Sequence, residues 1–202
     1  MTETTLPGDY FDALYARHDD PWGFESRWYE RRKRALTLAS LPAERYASAL
    51  EIGCSIGVLT EQLAQRCDSL LSTDVSSAAL QRARERLAGT SIVRFELADD
   101  ATPLPDGPFD LIVLSEVGYY FSHEALGRLT EQLGDRLAEG GTLLACHWRH
   151  PVADYPLSGD DVHLALAGIL GLERISRLLE KDFVLDVFTT DGRSVAEKTG
   201  LA

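Results

Sequence analysis

Cysteine is scarce in this 202-residue chain, and the three that occur are scattered. Cys54, Cys67 and Cys146 have neither CxxC nor zinc-type spacing, and so sparse and odd a set fits reduced thiols better than a disulfide framework. Long apolar runs are also missing: no uninterrupted stretch approaches the ~18 residues of a membrane-spanning helix. Met1 to Tyr10 carries Glu3 and Asp9 and has no apolar h-region, so no signal peptide and a cytoplasmic location are expected. Positive charge is in deficit, with 20 Lys and Arg against 32 Asp and Glu and a net charge of −12. Such a surface repels polyanions, which argues against nucleic acid as a ligand. No HxH or HExxH occurs, so nothing argues for a metal. Internal repeats and low-complexity segments are absent as well.

What is present is alternation. Ala49 to Ile52 reads as a buried strand ending in a glycine turn, followed by Val58, Leu59 and Leu63 on one helical face. Leu70 to Asp74 is a second strand, with Leu80, Ala83 and Leu87 at helical spacing behind it. Ile92 to Leu97 is a third, and Phe109 to Leu114 a fourth with the continuous apolar run of a strand covered on both faces. Leu126, Leu129, Leu133 and Leu137 form one helical stripe with Ser122 as N-cap, and Gly140-Gly141 opens a fifth strand, Thr142 to Trp148. Five βα repeats predict a doubly wound α/β fold with a mainly parallel sheet. Gly171 to Leu179 and Phe183 to Phe188, separated by Glu180-Lys181-Asp182, add an antiparallel hairpin, and the last dozen residues read as a polar, fraying tail.

Ligands of such sheets bind outside the carboxyl ends of the strands. The polar residues there are the glycine turn from Glu51 to Gly57, then Asp74, Asp99 with Asp100, and Ser115 with Glu116. A carboxylate at Asp74 suits the two hydroxyls of a ribose, and Asp99 or Asp100 an adenine amino group. The turn is a poor dinucleotide fingerprint, because Ser55 fills the third position and Val58 the sixth. A pyrophosphate is therefore poorly supported. Upstream, Tyr10 to His18 and Trp28 to Ser40 read as two helices joined by Asp19-Asp20-Pro21-Trp22-Gly23. The basic run Arg27, Arg31, Arg32, Lys33 and Arg34 reads as a solvated helix face or as the source of one cation for an anionic ligand group.

Glu-x-Gly-x-Ser-x-Gly resembles the first motif of class I S-adenosylmethionine (SAM)-dependent methyltransferases. Asp74, Ala98-Asp99, the Pro105-to-Asp110 approach and Gly140-Gly141 match the same pattern over roughly Ala47 to Trp148. Ser55 departs from it, standing where glycine is usual. A narrower resemblance, from Tyr10 to about Phe188, is to the nodulation N-methyltransferases (NodS type), which methylate the free amine of a deacetylated chitin-like oligosaccharide. Asp20-Pro21-Trp22-Gly23, Trp28 to Lys33, Ser115 to Tyr120, His147-Trp148-Arg149 and Asp154-Tyr155-Pro156 carry it.

The resemblance implies a seven-stranded, Rossmann-like sheet in one domain. Residues 1–45 are then a helical cap or lid, 46–150 the SAM-binding core, 151–190 a substrate-side loop and hairpin, and 191–202 a tail. It places SAM against Glu51, Gly53, Ser55, Gly57, Asp74, Val75, Asp99 and Ser115, with Arg32 for the methionine carboxylate. The acceptor is expected to be a small molecule or saccharide, its amine handled by Glu116 and His147 beside Tyr119, Tyr120 and Trp22. His123 and His163 begin helical stretches and are expected at the surface. Alternatives from the residues alone are a small-molecule O-methyltransferase, an NAD-dependent oxidoreductase and a non-catalytic binding protein of the same fold; the oligomeric state stays open.

Overall fold

The computed structural model describes residues 4–202. Two helices come first, α1 (Gly8–Arg17) and α2 (Trp28–Ala39). Next come β1 (Ala49–Ile52), α3 (Val58–Leu63), β2 (Leu70–Asp74), α4 (Ser77–Arg86), β3 (Val93–Leu97) and β4 (Phe109–Ser115). The chain continues through α5 (His123–Arg136), β5 (Leu137–Trp148), α6 (Gly159–Leu166), β6 (Glu173–Leu179), β7 (Phe183–Thr189) and α7 (Val195–Lys198). A 3₁₀ turn, Gly118–Tyr120, follows β4.

One seven-stranded sheet has the order β3-β2-β1-β4-β5-β7-β6. The first five strands run parallel, and β7 pairs antiparallel with both β5 and β6. The period-two alternation of strand side chains divides the core. Leu50, Ile52, Ile112, Leu114, Leu143 and Ala145 face one layer, with Phe11 and Tyr15 of α1, Leu126 to Leu133 of α5, and Val162 and Leu166 of α6. Ala49, Leu111, Val113, Leu144 and Cys146 face the other, with Leu41, Tyr46 and Leu63. Apolar runs buried on both faces thus produce the doubly wound sheet. The edge strands β3 and β6 are largely exposed.

Ser122 caps α5 as expected, accepting the Ala125 N–H at 3.1 Å. Two expectations fail. Leu137 is not on the α5 stripe but opens β5, because the helix ends at Arg136 and the chain turns extended at Leu137. The tail is not wholly frayed: Ser194 and Glu197 form a reciprocal capping box that starts α7, and Lys198 Nζ reaches the Gly140 carbonyl.

Candidate functional site

Strand order reverses at β1, whose neighbours are β2 on one side and β4 on the other. A cavity of about 710 Å³ opens over the carboxyl ends at that point, roofed by α1 and α2. Gly53, Cys54 and Ser55 after β1, Asp74 and Val75 at β2, Leu97 to Asp100 at β3, Ser115 to Val117 at β4 and Trp148 at β5 line it.

The floor is built from the glycine turn. Gly53, Ser55 and Gly57 all have positive φ, of 79°, 52° and 79°. Ser55 is the only one of the three with a side chain, and it is held from both sides. Its N–H donates to Asp74 at 2.7 Å, and its hydroxyl lies 2.5 Å from the Tyr15 phenol. A serine can stand where glycine is usual because these contacts hold the left-handed conformation. Asp74 also accepts the Ser76 N–H at 2.9 Å. Burial pushes the Asp74 carboxyl up to about 6, against the pull of those backbone donors. Glu51 is buried, accepts the Thr60 and Ser72 hydroxyls at 2.7 and 2.8 Å, and is pushed by burial up to about 7. Cys54, also buried, has its thiol pushed up by burial, the opposite of an activated nucleophile.

The other end of the cavity is aromatic and charged. Glu116, at φ 59°, sits where β4 leaves the sheet. One of its oxygens accepts Lys33 Nζ at 2.6 Å; the other accepts the Tyr119 hydroxyl and, at 3.1 Å, the Trp148 N–H. Lys33 is itself buried on α2, pairs with Glu30 at 3.1 Å and lies 5.0 Å from the Tyr29 ring centre. Tyr119, Tyr120 and Tyr155 pack as a wall with ring centres 4.8–5.0 Å apart. Trp22 stands on the lid side against Tyr15 and Phe24. Among the described residues, two buried polar atoms of the lining have no hydrogen-bond partner, Tyr29 Oη and Arg34 Nε.

Most candidates read from the sequence meet here: Glu51, Gly53, Ser55, Asp74, Val75, Asp99, Ser115, Glu116, Tyr119, Tyr120 and Trp22 all line one cavity. Asp99 lies at the exposed rim with its carboxylate turned back onto Ala101 and Thr102, and the Thr102 hydroxyl holds its pKa down. Three candidates are placed elsewhere. Gly57 packs under the site against α4, where a Cβ would come within 3.1 Å of Ala83 and Leu87. Arg32 points away and forms a two-pronged ion pair with Glu180 at 2.8 and 2.6 Å; Arg27, Arg34 and, at the rim, Arg128 line the cavity instead. His147 is fully buried on the face of β5 opposite to Trp148, so strand alternation turns its ring toward α6 and away from the cavity. His163 is likewise buried, contrary to the surface expectation, whereas His123 is exposed. Sequence reading missed Tyr15, Tyr29, Glu30, Lys33, Arg34 and Tyr155. The helical spacing of Glu30, Lys33 and Arg34 and the tyrosine in Asp154-Tyr155-Pro156 were the available signals.

Sheet order, the cavity over the carboxyl edge and the β1 turn define a Rossmann-like class I methyltransferase fold. A family model described as Nodulation protein S (NodS) matches residues 13–154, and the chain belongs to that family. Nodulation protein S of Rhizobium tropici is 37% identical over 128 residues, covering 62% of this chain and 54% of that protein. The chain spans little more than half the length of such curated relatives. N-methyltransferase NodS from Bradyrhizobium japonicum WM9, solved in complex with S-adenosyl-L-homocysteine (SAH), superposes with a TM-score of 0.82 at 27% identity, covering 90% of this chain and 97% of that one. Trans-aconitate 2-methyltransferase of Variovorax paradoxus is 37% identical over 140 residues, covering 67% of this chain and 48% of that protein. Among the described residues, no helix is long and apolar enough to cross a membrane.

Proposed function

We propose that this chain is a methyltransferase that binds SAM over β1–β3 and methylates an amine nitrogen of a small acceptor, an aminosugar or deacetylated oligosaccharide, in the cytoplasm. The observation that carries the reading is the division of one cavity into two chemistries. Over β1–β3 lie the glycine turn and Asp74, suited to a nucleoside. Over β4 and β5 lie two carboxylates against one ammonium, Glu116 and Glu30 against Lys33, between tyrosine faces. The cavity is within the size range of small-molecule sites. The residues fit the cofactor: Asp74 presents a half-buried carboxylate, and the unpartnered Nε of buried Arg34 offers a donor for a carboxylate.

When bound, SAM supplies a methyl group activated on a sulfonium sulfur. The chain's part is alignment, which in well-oriented intramolecular reactions reaches effective molarities of about 10⁵–10⁸ M. Glu116 is not a free base, since Lys33, Tyr119 and the Trp148 N–H already occupy it. It orients the Tyr119 hydroxyl and sets a carboxylate at the acceptor end. That carboxylate and the tyrosine faces favour an amine or its ammonium form. With no free base at hand, the ammonium loses its proton before attack by ordinary acid–base equilibrium. Activity therefore rises with pH through the acceptor's own pKa and then levels off.

Arg27 and Arg34 on the cavity wall, with the relative named for trans-aconitate, favour a second reading in which an oxygen of a carboxylate is methylated. An assay with an aminosugar, its N-acetylated counterpart and a tricarboxylate decides. The amine alone should be methylated; methylation of the acetylated sugar or the carboxylate alone would overturn the amine reading.

A further inference from the structure

Behind the tyrosine wall lies a buried polar chain that the proposed chemistry does not use. His147 on β5, His163 on α6 and Asp186 on β7 are at most 2% exposed. The Gly118 N–H donates to His147 Nε2 at 3.1 Å. His147 Nδ1 lies 3.0 Å from His163 Nε2, and His163 Nδ1 lies 2.8 Å from an Asp186 carboxylate oxygen.

The direction of this chain has one solution. A backbone N–H can only donate, so His147 Nε2 accepts and its proton is on Nδ1. That proton is donated to His163 Nε2, which places the second proton on His163 Nδ1, facing Asp186. An ionised carboxylate can only accept, so both ends demand the same arrangement. Arg174 of β6 lies 3.6 Å from the Asp186 oxygen that His163 uses and Arg177 3.6 Å from the other; both are outside hydrogen-bond distance and compensate the charge while His163 makes the hydrogen bond.

We infer that Asp186, His163 and His147 are positioning residues, a one-directional relay that locks the Gly118–Tyr120 turn and so sets the acceptor wall and the orientation of Glu116. The turn is the right target. Gly118 is pressed against His147 and Val162 so closely that a Cβ would meet them at 2.9 and 2.5 Å. The next residue, Tyr119, donates its hydroxyl to Glu116, and Tyr120 packs on Tyr155. Reversing the relay would set a His147 N–H against the Gly118 N–H, two donors facing each other, and the turn would shift. A carboxylate is needed at Asp186 because an amide can also donate and permits the reversed order. This inference rests on the acceptor-side reading of the wall; the relay itself is judged without it.

The test is Asp186→Asn in the full chain, with His163→Gln as a second variant that keeps an acceptor for His147 but loses Asp186. Nitrogen-15 spectra of the wild type should show both imidazoles neutral and protonated on Nδ1, and the Gly118 amide should exchange slowly. In Asp186→Asn the His147 signal should become mixed and Gly118 exchange faster. The acceptor kcat/KM should fall about tenfold or more, since small displacements of an aligning wall cost rate on that scale, while SAH affinity stays within about twofold. A wild-type ring protonated on Nε2, or unchanged Gly118 exchange and acceptor kinetics in both folded variants, would overturn the relay. If the wild type methylates no amine, the acceptor reading fails, and the spectra and exchange still decide the relay.

Discussion

The two ends of the cavity are built differently. The floor over β1–β3 is made mainly by one βαβ unit: Ser55, Asp74 and Ser76 are joined by backbone donors at the ends of β1 and β2, with Tyr15 of α1 added from outside. The end over β4 and β5 is made by distant chain: Lys33 meets Glu116 across 83 residues, and His163 meets Asp186 from another helix and strand. Local turns can be specified by glycines and a spacing. A charge cluster is specified only when the fold closes, and its ions are then expensive to leave unpaired.

The largest expected effect tests that difference directly. Lys33→Met leaves Glu116 and Glu30 together without their cation, and should cost about 3 kcal/mol of stability, the scale for breaking a buried ion pair. Adding Glu116→Gln to it should recover most of that loss. Denaturant unfolding of the single and double variants measures this, and additive losses would show that the pair is not coupled.

Asp74→Ala probes the local end. It should cost about 1.5–3 kcal/mol of SAM binding, the value of hydrogen bonds to a charged group, with acceptor KM little changed. Calorimetry on a variant shown to be folded is the measurement; unchanged affinity would separate Asp74 from the nucleoside.

A smaller effect comes from pH. Burial lifts Glu51 to about 7, well above the ~4.3 of an unfolded glutamate. The folded state then holds the proton more tightly, so this group's contribution is complete below about pH 4 and is lost as pH rises toward 7. Glu51→Gln removes that slope, so thermal unfolding should shift in the variant's favour between pH 5 and pH 8. A constant difference between the two proteins would contradict the assignment.

The smallest effect is expected at Arg32. Its pair with Glu180 is partly exposed and screened by solvent, so breaking it should change stability little. Arg32→Ala should leave SAM affinity unchanged, whereas Arg34→Ala should weaken it. Equal losses in both would return Arg32 to the cofactor side.

Legibility followed the same division. Strand limits came within a residue or two for β1, β2, β4 and β7, because apolar runs bounded by turns state them locally. Asp74 and the turn were legible for that reason. Arg32 was singled out although nothing in the run from Arg31 to Arg34 says which cation faces inward; helix rotation on the sheet turns Lys33 and Arg34 to the cavity and Arg32 to Glu180. His147 was assigned to the reaction because it ends near the right edge, yet the register of β5 gives that edge to Trp148.

By itself, then, the sequence determined the alternation of strands and helices, the sheet class and the turn at its switch point, since each depends on neighbours within a few residues. Tertiary structure alone decided that Glu116 is neutralised by Lys33, that His147 and His163 are buried in a relay to Asp186, and that Tyr15 and Tyr155 complete the cavity. Those contacts join segments tens of residues apart, and no periodicity in one segment encodes the face that another will cover.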